Sequence, residues 1–122
     1  MRRKERQKYM TVAEEEIMLI LWKLGKGFIK DILDGFAGTK PAYNTVSTVL
    51  RVMEHKGYVS HQKVGVFYEF FPIVSKEEYA RMLAEHLLQN YYDGSLWSFI
   101  GQQVPELDPE SLRQKMASAV PE

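Results

Sequence analysis

The chain has 122 residues, 45% of them hydrophobic, which suits one compact core with a small appended segment and excludes a disordered protein. It contains no cysteine, so disulfide frameworks, thiolate metal sites and cysteine nucleophiles are ruled out, and its 16 basic and 16 acidic residues cancel to a formal net charge of +0. The balance hides a polarity: residues 1–74 hold 12 Lys and Arg against 8 Asp and Glu, and residues 75–122 hold 4 against 8. Most of the positive excess lies in the first eight residues, where Arg2, Arg3, Lys4, Arg6 and Lys8 face only Glu5. An arm of this kind, residues 1–10, can condense onto phosphates or reach into a minor groove; the plain alternative is a solvated terminus. No apolar run approaches the roughly 18 residues that span a bilayer, and Glu14, Glu15 and Glu16 stand where a secretory segment would be apolar. The expectation is a soluble, cytoplasmic protein.

Thr11-Val12-Ala13-Glu14 has the pattern of a capping box and predicts a helix start. Its apolar face would carry Ala13, Ile17, Ile20, Leu21 and Leu24, widened by Met18 and Trp22, with Gly25 and Gly27 ending it. A short second helix is expected from about Phe28 to Phe36, with Ile29, Ile32, Leu33 and Phe36 apolar. Gly35, Gly38 and Pro41 then break the chain before a third helix that opens near Pro41 to Asn44. In that helix Val46, Val49, Leu50 and Met53 follow the i, i+3, i+4, i+7 spacing of a buried stripe. Opposite them, at about 100° per residue, lie Asn44, Thr48, Arg51 and His55, with Ser47 beside them. Asn can pair with an adenine edge, Arg with a guanine edge, and the Thr methyl can touch a thymine methyl in a major groove. Any solvated helix face is polar, so this face gains meaning only from the elements around it.

After Gly57 the period changes from 3.6 to 2, and two strands are expected, Tyr58 to Lys63 and Val66 to Phe71, joined at Val64-Gly65. Tyr68 and Phe70 share one face of the second strand and Phe67 and Phe71 the other; Pro72, with no N–H to give, ends the ladder. Ser75-Lys76-Glu77-Glu78 is a second capping box, opening a helix to about Tyr92 that Gly94 stops. Asp108-Pro109 predicts a last helix carrying Leu112, Met116 and Val120. The 48 residues from Ser75 onward are too few to hold a core of their own. A second copy packed across a two-fold axis is the simplest cover, and folding back on the first domain is the alternative. The expected dimer contacts are Tyr79, Met82, Leu83, Leu87, Tyr91, Leu96, Phe99 and Ile100, with Trp97 in the same apolar cluster. The organisation is therefore an arm (1–10), a first domain (11–74) and a helical dimerisation segment (75–122).

No catalytic arrangement emerges. His55, His61 and His86 fall on three different elements with no ligand spacing among them, and the three glutamates suit a helix N-terminus. No phosphate-cradling glycine loop and no nucleophile elbow occurs. The expectation is a protein that is not an enzyme and carries no metal and no cofactor. The order helix, helix, turn, helix, hairpin is that of a winged helix-turn-helix, giving a mostly α fold with a small β-hairpin followed by a helical segment.

From about Thr11 to Leu112 the chain resembles the penicillinase-repressor family of bacterial transcription regulators. The matching stretches are TVAEEEIMLILWKLG, AYNTVSTVLRVMEHKGYV, FYEFFPIVSKEEY and YDGS. The resemblance implies a dimeric repressor that holds an inverted-repeat operator through its N-terminal winged domain and dimerises through its C-terminal helices. Carried over by position, the base-reading residues are Asn44, Thr45, Ser47, Thr48 and Arg51; Tyr43 and Lys63 would meet the DNA backbone, as would Arg2, Arg3 and Lys4 of the arm. Val66 stands where relatives commonly have arginine. Copper-responsive relatives carry C-terminal cysteine pairs, which this chain lacks. Penicillin-responsive relatives are cut at an Asn-Phe pair on a signal from a membrane sensor protease, which the resemblance makes a partner for the C-terminal domain. Gln102-Gln103 takes that place here, so either the protease differs, the cut lies elsewhere, or control is of another kind. The rival reading is a winged-helix protein-interaction module that ignores DNA. The 7 basic and 7 acidic residues of segment 9–74 favour it mildly.

Overall fold

Helix α1 (Val12–Leu24) begins where Thr11 and Glu14 satisfy each other's free groups. The Glu14 N–H donates to Thr11 Oγ1 at 3.2 Å and the Thr11 N–H to Glu14 Oε1 at 2.9 Å. The computed structural model describes residues 9–103, 110, 113, 114 and 117. Arg2, Arg3 and Lys4 of the arm, and Asp108, Pro109, Leu112, Met116 and Val120 of the expected last helix, lie outside the described residues. The buried stripe of α1 is Glu14, Ile17, Met18 and Leu21, while Ala13 and Leu24, expected on that face, are exposed. The stripe is displaced because Glu14 itself occupies a buried position. Only 3% exposed, it accepts a hydrogen bond at Oε2 from Lys56 Nζ at 2.9 Å.

Helix α2 (Ile29–Asp34) is shorter than its apolar pattern suggests. The Phe28 N–H donates to Asp31 Oδ2 at 2.9 Å and fixes the start. At the other end Lys40 Nζ donates to the carbonyls of Leu33 at 2.9 Å and Phe36 at 3.3 Å, satisfying acceptors that the ended helix leaves free. Helix α3 (Tyr43–Lys56) starts after Ala42, which places Pro41 before the cap rather than within the first turn. It buries Val46, Leu50 and Met53 completely and Val49 in part. Its end is a Schellman closure: Gly57 sits at φ +91°, its N–H donates to the Glu54 carbonyl, and the Tyr58 N–H donates to that of Met53.

The hairpin pairs β1 (Val59–Val64) with β2 (Phe67–Pro72), Val59 opposite Pro72 and Val64 opposite Phe67. Both strands start and end one residue later than the sequence pattern suggested. The tight turn explains the difference. Gly65 at φ +65° takes the first central position, where a type II′ turn demands a positive angle, so Val64 stays in the ladder and Val66 leaves it. The loop between α1 and α2 adds an isolated bridge to β2: the Gly27 N–H donates to the Phe70 carbonyl at 2.9 Å and the Phe70 N–H to that of Gly27 at 2.8 Å. Beyond β2, the Trp22 indole N–H donates to the Val74 carbonyl at 2.9 Å and fastens the departing chain to α1. Met18, Leu21, Ile32, Leu50, Met53 and Val59, all fully buried, join the three helices and the hairpin in one core.

Contacts divide the chain into two compact units, Met1–Glu78 and Tyr79–Glu122. Helix α4 (Lys76–Tyr91) opens in the first, capped by Ser75 and Glu78, with the Glu78 N–H on Ser75 Oγ at 3.0 Å and the Ser75 N–H on Glu78 Oε1 at 3.1 Å. In the second unit Gly94 precedes helix α5 (Leu96–Gln103). There Tyr92 and Phe99 meet edge to face at 5.3 Å, Gln103 Nε2 donates to the Tyr92 hydroxyl at 3.2 Å, and the Arg113 guanidinium lies 5.0 Å over the Trp97 ring. The fold class is mostly α with one antiparallel hairpin, a winged helix followed by helices.

Candidate nucleic-acid interface

The buried stripe of α3 dictates what its other side presents. With Val46, Leu50 and Met53 turned into the core, the 3.6-residue repeat turns Asn44, Thr48 and His55 outward, and all three are exposed. Thr45 and Val52 form one exposed edge of this face. Ser47 and Arg51 form the other edge, on the side of the hairpin, Ser47 half-buried and Arg51 exposed. Asn44, Thr45, Ser47, Thr48 and Arg51 thus share one continuous surface of a helix whose opposite face is locked in place.

Between that edge and the hairpin lies a groove of about 490 Å³. Tyr43, Ser47, Arg51 and Glu54 form one wall, His61, Val66, Phe67 and Tyr68 the other, and Phe28 and Lys30 at the start of α2 close one end. The two walls are joined by His61, whose Nδ1 lies 2.8 Å from Glu54 Oε1 and whose ring packs against Tyr68 and Phe70 at centroid distances of 4.7 and 5.5 Å. In the sequence His61 reads only as a surface or core histidine, and the structure has it half-buried. Its role is to tie the wing to α3, and only the hairpin register, His61 opposite Phe70, brings the three rings together.

Tyr43 is exposed at the first turn of α3, and Lys63 is exposed on β1, across from Tyr68. Lys30, absent from the sequence-based set, joins the groove because α2 starts beside it. Arg51, Lys30 and Lys63 make no ion pair among the described residues. Nor do the described residues hold any group of His, Asp or Glu able to bind a metal ion, and none of their helices is long and apolar enough to cross a membrane.

In the second unit Leu83, Leu87, Tyr91, Leu96 and Trp97 are exposed, and Met82, Phe99 and Ile100 half-buried. Tyr79, expected with them at a dimer contact, is only 6% exposed: the chain itself already covers its ring.

A model of the penicillinase-repressor family matches residues 10–117. The chain belongs to that family. A penicillinase repressor of Bacillus licheniformis is 25% identical over 89 residues, covering 72% of this chain and 70% of the relative. Penicillinase-repressor membership takes in the winged unit and the helices that follow it, and places the chain among transcription regulators rather than enzymes.

Proposed function

We propose that the chain is a homodimeric transcriptional repressor that occludes a promoter by binding a pseudo-palindromic operator in double-stranded DNA. The observation that carries this reading is the outward face of α3, where five polar side chains able to read base edges lie beside a wing on a helix that cannot turn. The face of α3 selects sequence, Asn44, Thr45, Ser47, Thr48 and Arg51 reaching the bases. Tyr43, Lys63 and the basic arm with Arg2, Arg3 and Lys4 position each subunit on the backbone.

One winged unit makes few base contacts, so tight binding requires two held at high effective concentration. The exposed apolar side chains of α4 and α5, Leu83, Leu87, Tyr91 and Leu96 among them, support a second copy as the holder. Cleavage or any other disruption of the C-terminal unit then releases the operator, with a membrane sensor protease as the agent that the family resemblance implies. Such a regulator works in the cytoplasm, where the DNA is.

The test is a gel-shift with the full chain on a duplex recovered from a randomised library by selection on the same protein. The expected result is preference for that duplex over random DNA that survives added salt, and a loss of roughly 1–3 kcal/mol of discrimination in Arg51→Ala. Equal retention of selected and random duplex by the wild type would refute the reading. Together with a stable complex with another protein, it would favour the interaction module instead.

A further inference from the structure

The tip of the hairpin is apolar where a wing that held DNA by charge would be cationic. Val66 is 82% exposed and Phe67 61%, and Val64 and Tyr68 beside them are exposed as well. Phe67 rests one edge on Phe28, ring centroids 6.3 Å apart at 77°, and is open on its other side. Apolar side chains gathered in one patch at the end of a two-stranded ribbon lose free energy in water and mark a surface that something else covers.

The place of the patch says what. It is continuous with the outward face of α3: Val66, Phe67 and Tyr68 form one wall of the groove whose other wall holds Tyr43, Ser47 and Arg51. A duplex with α3 in its major groove runs its sugar–phosphate ridge along that groove and brings the flank of the minor groove to the hairpin tip. The ridge has two chemical faces, charged phosphate oxygens and the C–H groups of deoxyribose. The groove matches both, with Lys30 at one end of it and Lys63 on the adjacent strand, neither in an ion pair among the described residues, and the apolar tip of the hairpin beside them.

Resting on the DNA-binding reading above, we propose that the wing grips the sugar edge of the DNA backbone by apolar contact, with Val66 and Phe67 packed against deoxyribose. Phosphate contacts release counterions, and each steepens the dependence of log Kd on log salt by about 0.9. Packing against sugar releases none. The apolar tip of the wing therefore adds affinity that salt does not remove, beside the salt-dependent contact of Lys63 on β1.

The experiment measures binding of the full chain to the selected duplex by fluorescence anisotropy across a salt series, for wild type, Val66→Ser, Val66→Arg, Phe67→Ala and Arg51→Ala. Phe67→Ala is expected to weaken binding about tenfold and Val66→Ser several-fold, both at an unchanged salt slope. Val66→Arg places a cation beside phosphate and is expected to steepen the slope by about one. Phe67→Ala removes a ring that touches Phe28, so its thermal melt is compared with wild type. Val66 protrudes into solvent, and its two variants decide the question without that complication. Wild-type affinity and slope in both Val66 variants, with Arg51→Ala weakened, would overturn the wing contact and leave the DNA-binding reading standing; a protein covering the tip would give this pattern. A folded wild type that holds no duplex would overturn both.

Discussion

The pair between Glu14 and Lys56 gives the sharpest test of how the first unit is held together. Its side chains are 4% and 17% exposed, and each Glu14 oxygen has one partner: the Thr11 N–H at Oε1 and Lys56 Nζ at Oε2. Lys56→Met keeps the aliphatic stem and removes the ammonium, leaving a carboxylate inside the unit with a single hydrogen bond. Stranding one member of a buried pair destabilises by about 3–5 kcal/mol, and the opening to solvent on the Lys56 side admits some water, so the lower end, about 3 kcal/mol, is expected. For a domain of this size that lowers Tm by the order of 15 °C. The double variant Glu14→Leu with Lys56→Met removes both charges and loses chiefly the reciprocal cap at Thr11, about 1 kcal/mol. It should be more stable than Lys56→Met alone by about 2 kcal/mol. Urea unfolding followed by circular dichroism at constant m-value measures all three chains. A Lys56→Met chain within 1 kcal/mol of wild type, or a double variant less stable than the single, would show that the pair is not what anchors the end of α3 to the start of α1.

Gly35→Ala tests the approach of α1 to the end of α2. A Cβ there would stand 2.6 Å from Cγ2 of Ile20, a β-branched side chain with little freedom to move, and the expected loss is about 1–3 kcal/mol in a thermal melt, with an unchanged Tm counting against so close a contact. Charging the exposed face of α4 with Leu83→Lys and Leu87→Lys should convert the proposed dimer to a monomer at micromolar concentration in sedimentation while leaving the urea midpoint of the winged unit in place; a sedimentation coefficient equal to that of the wild type would refute α4 as the dimer contact.

The features legible in the sequence are those whose cause is local. Both capping boxes lie within four residues, and the stripe Val46, Leu50 and Met53 repeats at the helical period, so the starts of α1 and α4 and the outward face of α3 follow from the chain itself, whereas the helix at Leu96–Gln103 reads in the sequence only as an apolar cluster. What was hidden depends on partners far along the chain. Glu14 reads as one of three acidic residues at a helix start, and only Lys56, 42 positions later, makes it a buried residue that shifts the stripe of α1. The bridge between Gly27 and Phe70 is made by backbone alone and leaves no side-chain signature. The hairpin register turned on which residue of Val64-Gly65-Val66 accepts a positive φ, and placing the turn one residue early displaced both strands. Lys30 entered the groove through the packing of α2, which periodicity does not report.

The Gly27–Phe70 bridge and the His61–Glu54 contact fix the hairpin to the α1–α2 loop and to α3, and the Trp22 hold on Val74 fastens the chain leaving it to α1. A wing so fixed makes the unit a rigid gauge, with the span from α3 to the hairpin tip set before any duplex arrives. In that case the duplex is the partner that adjusts, widening or narrowing its grooves to fit the span. On the repressor reading proposed above, base steps that deform easily would then be favoured even at positions no side chain touches, and an operator would be chosen in part by its stiffness.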